Sequence, residues 1–254
     1  MRIPPRCAVF PTVVCLAAGA LGAADDPLVG KWKVNPSKSV LTDEMKVASL
    51  GGNKYSLDFG GGTPETIVAD GTDQKANFGT TVSATMVSPN EAIIVRKKDG
   101  KVQVRGIWTL AKDGSQLHDD FTYFPDNGKT VHLVYVYDRK GGGAGFGGDW
   151  VSTSGQVEAG IELEIQPYES GGLAFSSPDL GLAAKVKLDG NVSAGAETPP
   201  ATFSGRRVNQ HCVELTNKSQ TDRFEVSSDL KTLTMSVRRA GDDTAKNTLV
   251  FELE

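Results

Sequence analysis

Alternation with a period of two runs through almost the whole of this 254-residue chain, and it restricts the fold more than any other feature. Successive side chains on a strand point to opposite faces, so alternating apolar and polar residues mark a strand with one buried and one wet side. Val102, Val104, Gly106, Trp108 and Leu110 fall on one face, with Gln103, Arg105, Ile107 and Thr109 on the other. Leu117, Phe121 and Tyr123 share a face, as do Val131, Leu133, Tyr135 and Tyr137 beyond the turn Pro125-Asp126-Asn127-Gly128, which predicts a hairpin. Earlier strands are expected near residues 30–35, 45–49, 54–59, 65–69, 80–87 and 91–97. Later, Ile161, Leu163 and Ile165 oppose Glu162 and Glu164, and Leu182, Val186 and Leu188 oppose Lys185 and Lys187. Leu233, Met235 and Val237 oppose Thr232, Thr234 and Ser236, and Leu249, Phe251 and Leu253 end the chain. No stretch carries a helical period. A hydrophobic share of 39% with 29 glycines fits a turn-rich all-β protein. So many short strands leave the fewest sticky edges when sheets close on themselves, so antiparallel up-and-down β-barrels are expected.

The landmarks occur twice at a near-constant distance: Trp32 and Trp150, Asp70-Gly71 and Asp189-Gly190, Asp113 and Asp229. That repetition argues for duplication. It predicts two tandem barrels, 26–140 and 149–254, joined by a Gly-rich linker over 141–148. The alternative is one larger sheet.

Each half opens with a Gly, one free position and a Trp: Gly30-Lys31-Trp32 and Gly148-Asp149-Trp150. The Gly lets the chain turn sharply into a strand, and the Trp is a plate large enough to close a barrel end. This opening resembles that of the lipocalin and calycin families. The longer string Gly30-Lys31-Trp32-Lys33-Val34-Asn35-Pro36-Ser37-Lys38-Ser39 is similar to the G-x-W-x-x-N-x-x-K-S start of bacterial secreted lipocalin-like proteins. The resemblance implies barrels that can enclose one small apolar ligand, and a basic residue late in each barrel stacked over the Trp. In the first half Arg139 matches that residue, so Gly30, Trp32 and Arg139 are expected to close the first barrel, and Gly148 and Trp150 the second. The second half ends Phe251-Glu252-Leu253-Glu254 without such an Arg, which leaves its closure open.

Residues 1–24 stand apart. Arg2 and Arg6 precede an apolar run from Ala8 to Leu21, followed by the small residues Gly22, Ala23 and Ala24, the pattern of a cleaved secretory signal peptide. The run is shorter than the roughly 20 residues of a spanning helix, so no integral membrane segment is expected after processing, and the mature protein is expected to be secreted or periplasmic. Cleavage removes Cys7 and Cys15 and leaves Cys212 alone, which excludes an internal disulfide. A formal charge of -4 gives no reason to expect nucleic acid as a partner.

Catalytic and cofactor signatures are weak. Gly143-Ala144-Gly145-Phe146-Gly147-Gly148 spells G-x-G-x-x-G, but Asp149-Trp150-Val151-Ser152 then continues as a strand where a phosphate cradle needs a helix N-terminus. His118, Asp119 and His132 can approach one another across a hairpin, yet both imidazoles fall opposite the apolar face, so solvent is expected and no metal. Asp119 is the odd residue. Regular pairing places it inward between Leu117 and Phe121, where a carboxylate is costly unless it orients a polar ligand group or sits at a bulge. No serine elbow and no Cys-His pair is present, so no catalytic residue and no cofactor is assigned. The candidate functional surface is the inner face of the first barrel, lined by Trp108, Phe121, Tyr123, Tyr135 and Tyr137. Rings with polar tips suit a pocket that grips an apolar body and orients one end. The expectation is non-covalent binding of a small hydrophobic or amphipathic ligand. The alternative is an interaction module with filled cores that recognises an extracytoplasmic protein or glycan.

Overall fold

The computed structural model describes residues 26–59, 63–158, 160–194, 202–218, 220–240 and 247–254. The expected signal peptide and its cleavage site lie outside the described residues. The protein is all-β and forms two nearly closed, ten-stranded antiparallel barrels.

The first strand, β1 (Gly30–Val34), is followed by β2 (Glu44–Gly51), β3 (Lys54–Asp58), β4 (Glu65–Val68), β5 (Gln74–Lys75), β6 (Thr81–Ser88), β7 (Glu91–Lys98), β8 (Lys101–Leu110), β9 (Gln116–Tyr123) and β10 (Val131–Gly141). The second half holds β11 (Gly148–Val157), β12 (Glu162–Tyr168), β13 (Gly172–Ser177), β14 (Leu182–Lys187), β15 (Asp189–Ala194), β16 (Thr202–Asn209), β17 (Cys212–Thr216), β18 (Gln220–Val226), β19 (Thr232–Arg239) and β20 (Asn247–Leu253). Apart from one exchange, each barrel is a meander of neighbouring strands, as the alternation predicts.

That exchange corrects the expected division. β1 lies between β12 and β20, with Trp32 opposite Leu163 on one side and Leu253 on the other. β11 lies between β10 and β2, with Trp150 opposite Arg139 and Met45. Each G-x-W strand therefore completes the barrel of the other half. The boundaries 26–140 and 149–254 do not separate the two sheets: the first barrel is β2–β11 and the second is β1 with β12–β20. The physical reason is local. A tight Gly-rich turn after β10 folds β11 straight back onto its neighbour and occupies the edge where β1 would have closed the same barrel.

Residues 141–148 are accordingly the connection of a hairpin inside one barrel, not a linker between two. Phe146, within it, is buried, and its carbonyl accepts the Trp150 indole N–H at 3.0 Å. Leu28 plays the same part for Trp32, also at 3.0 Å. Gly30 and Gly148 both take the expanded φ that their tight entries require, +158° and +154°. Over Trp150 stands the Arg139 guanidinium, 4.3 Å from the ring centroid, donating to the carbonyls of Gly114, Gly145 and Gly147. The expected stack of Arg139 on Trp32 is thus replaced by a stack on Trp150, a consequence of the exchange. In the second barrel Leu253 holds the equivalent place, and a Cβ at Gly30 would lie 2.8 Å from its Cδ1. The rest of the ten-residue opening is structural too: Asn35 caps a 3₁₀ turn at Pro36–Lys38 and, with Lys38, binds Glu252 on β20.

The second barrel is packed with Trp32, Leu163, Ile165, Phe175, Phe224, Leu233 and Phe251, all fully buried, and the Phe175 and Phe224 rings meet at 4.8 Å. The first has a core of its own around Met45, Leu57, Ile67, Leu117, Phe146 and Trp150. The far end of the β9–β10 hairpin runs past that core and packs onto the second barrel: Val131 is part of its cluster, and Asn127 donates to the buried Asp179 carboxylate at 2.9 Å. Cys212 is fully buried on β17, where burial pushes its thiol up. No helix among the described residues is long and apolar enough to cross a membrane.

Candidate functional site

Above the Trp150 layer the first barrel is hollow. Its cavity has a volume of about 560 Å³, with walls from β2, β3, β4, β6, β7, β8, β9 and β10. Met45, Leu57, Val82, Ile94, Trp108 and Phe121 form the apolar body. At the mouth Phe59 meets the edge of Trp108, with centroids 6.3 Å apart, and Phe78 projects into solvent at 91% exposure.

Of the five aromatic residues expected to line this space, Trp108, Phe121, Tyr135 and Tyr137 do so. Tyr123 does not. It lies on the part of β9 that has passed beyond the first core and packs against the second barrel's cluster. Inward orientation on a strand fixes the side a residue faces, not the level at which the barrel ends.

Two carboxylates stand at one end. Asp119 is 6% exposed and lies in unbroken register, opposite Trp108 on β8 and Tyr135 on β10, so the bulge reading is set aside. Its Oδ1 has no hydrogen-bond partner among the described residues. Burial lifts the carboxyl to about 7 against the opposing pull of the Trp108 indole N–H, and the charges of Asp43 and Asp120 add to the rise. Room for it comes from Gly106, where a Cβ would sit 2.9 Å from Asp119 Oδ1. Asp43, in the segment before β2, is also raised, chiefly by burial, while the Tyr137 hydroxyl donating at 2.8 Å and the Glu44 backbone N–H act the other way. Asp43 is held in place from β11, because its backbone N–H donates to Ser152 Oγ at 2.6 Å. Burial and the two carboxylates push the Tyr135 and Tyr137 phenols up, so both stay protonated donors.

The other polar group is self-contained. Arg96 on β7 donates to both oxygens of Glu65 on β4, at 2.5 and 3.0 Å, and to Thr80. Burial alone would raise Glu65; the bonds from Arg96 and the Asn77 backbone outweigh it and hold the carboxyl below its usual range. The cavity is therefore apolar along its walls, neutral at the Glu65–Arg96 pair, and acidic around Asp119 and Asp43.

Asp43, Glu65, Arg96, Phe59 and Phe78 were not anticipated. Glu65 shares a face with Ile67, and Arg96 with Ile94, so two opposite charges on inward faces were a readable sign of a buried pair. Phe59 continues the Tyr55–Leu57 face of its expected strand and was readable as inward, whereas Asp43 and Phe78 lie outside regular alternation and carry no such signal. The histidines stay out of the site: His118 is exposed, and His132 bonds Glu158 at 2.7 Å and Asp120 on the outer face.

Compared with protein-family models and with curated proteins, the chain matches none.

Proposed function

We propose that this chain is a secreted or periplasmic lipocalin-like binding protein that holds one small hydrophobic or amphipathic molecule, without chemical change, in the first barrel. The observation that carries this reading is the cavity of about 560 Å³ with apolar walls and a polar end. Its size lies within the roughly 300–1,000 Å³ typical of small-molecule sites, and its few polar groups converge as orienting groups do. The G-x-W openings and the N-terminal pattern support the lipocalin-like and exported parts of the proposal.

The buried apolar cluster of the second barrel supports a different role there: a structural or interaction module that steadies the hollow one through the exchanged strands and presents its outer surface to a protein or glycan. The test is native mass spectrometry of protein exported with its own N-terminal segment, followed by solvent extraction. A stoichiometric lipophilic passenger, lost on Trp108→Ala, is the expected result. A bare mass, with no uptake of a hydrophobic dye, would transfer the proposal to the interaction role.

A further inference from the structure

Resting on that reading, we infer that the first barrel selects ligands bearing a protonated amine, which Asp119 receives at the acidic side of the cavity while the apolar walls hold the rest of the molecule. Three observations converge. The Asp119 carboxylate is almost wholly buried and one of its oxygens is unpartnered. A buried acceptor left in that state is costly, and a donor brought in by a ligand removes the cost. Among the described residues of the lining Arg96 is the one cation, and it is committed to Glu65.

The surroundings fit an ammonium better than an acid or an alcohol. Asp43 lines the same space and adds negative charge. Trp108 and Tyr135 stand opposite Asp119 on the two flanking strands, so an amine there lies among aromatic side chains with its carbon chain against the apolar walls. An alcohol has a single proton to donate. A carboxylate ligand would meet the two acidic groups Asp119 and Asp43, both lining the same space.

The groups that face Asp119 set its pH dependence. Trp108 and Gly106 come from β8, Tyr135 and Tyr137 from β10, and Asp43 from the segment before β2; Asp120 acts from the outer face of β9 itself, and Glu65–Arg96 is paired within itself. None of these is a free base able to neutralise the carboxyl. Ammonium binding needs the ionised carboxylate, so the amine's affinity increases as pH rises through 7, while that of a neutral ligand stays level.

The experiment is calorimetric titration of the full protein with decylamine, 1-decanol and decanoic acid at pH 5.5, 7.0 and 8.5, repeated on Asp119→Asn. Decylamine is expected to bind at least tenfold more tightly than decanol at pH 8.5, with the margin shrinking at pH 5.5 and decanoate the weakest. Asp119→Asn is expected to abolish the margin while still binding decanol, which also reports that the variant is folded. Equal affinity for amine and alcohol at pH 8.5, or a margin that survives in Asp119→Asn, overturns the amine inference and leaves the hydrophobic-ligand reading standing. Failure of all three probes overturns both.

Discussion

Pairing register allows the two barrels to be compared position by position. Trp150 faces Arg139 where Trp32 faces Leu253, and from that anchor Tyr137 and Tyr135 on β10 correspond to Phe251 and Leu249 on β20. The partners of those tyrosines on β9, Leu117 and Asp119, correspond to Leu233 and Met235 on β19. One strand further on, Trp108 and Gly106 correspond to Phe224 and Asp222. Where the second barrel carries Leu249, Phe251, Met235 and Phe224, the first carries Tyr135, Tyr137, Asp119 and Trp108. One strand framework thus carries apolar side chains at these positions in one barrel and, in the other, aromatic and acidic side chains around a cavity. Each barrel buries an aspartate, but Asp222 accepts a hydrogen bond from Gln220 at 2.7 Å, whereas Asp119 keeps an oxygen without a partner. The second barrel bonds its buried carboxylate internally, and the first leaves one carboxylate oxygen open to its cavity among the described residues.

The largest effect that can break this comparison comes from the exchanged tryptophans. Removing a buried Trp side chain costs about 3–5 kcal/mol. Trp150→Ala is expected to cost hydrogen-exchange protection in β8–β10, and Trp32→Ala in β18–β20, read by mass spectrometry of peptides. The reverse assignment would mean that each G-x-W strand closes its own half and that the exchange is absent.

A smaller effect sharpens the contrast between Asp119 and Met235. A carboxyl lifted to about 7 in the folded protein holds its proton more tightly than in the unfolded chain. The destabilisation it brings is absent below about pH 4, develops as pH rises to 7 and is constant above that. Asp119→Met, which copies the second barrel, is expected to raise stability in urea by about 1–3 kcal/mol at pH 8 and by much less at pH 5. No gain at pH 8 would show that the carboxylate is already satisfied.

The smallest effect lies on the outer seams. His132 clamps β9 and β10 to the residue after β11 through Asp120 and Glu158, and chiefly the Asp120 bond raises its value. A raised histidine stabilises fully below its unfolded value near 6.5 and loses the contribution as pH climbs through its folded value. The second barrel uses Arg206 and Arg223 on Glu214 instead, a pairing without histidine. Mild loosening of the β9–β10 seam with rising pH, absent from β16–β18 and from His132→Asn, is expected in amide exchange; equal behaviour of both seams would contradict it.

Much of the fold was legible in the sequence because alternation reports burial directly. The strands near 54–59 and 91–97 form at Lys54–Asp58 and Glu91–Lys98, and Trp108, Phe121, Tyr135 and Tyr137 face inward together. The exchange of β1 and β11 was not legible. Gly30-Lys31-Trp32 and Gly148-Asp149-Trp150 are alike, so either could close either barrel, and the choice rests on the length and packing of the 141–148 turn around Phe146. Tyr123 was misplaced for a related reason: periodicity has no knowledge of where one core stops. Asp119 was readable as an inward acid, but its missing partner emerges only once Gly106 opens space beside it.

The most direct measurement of the contrast uses the three tryptophans, Trp32, Trp108 and Trp150, as reporters. In a ¹⁵N spectrum of indole N–H groups, the Trp32 and Trp150 signals are tied to the Leu28 and Phe146 carbonyls, whereas Trp108 lines the cavity beside Asp119. The account predicts that 1-decanol shifts Trp108 alone and that this signal titrates near pH 7 in the free protein. A Trp32 signal that moves on adding decanol, or a Trp108 signal that stays still, would contradict a hollow first barrel beside a filled second one.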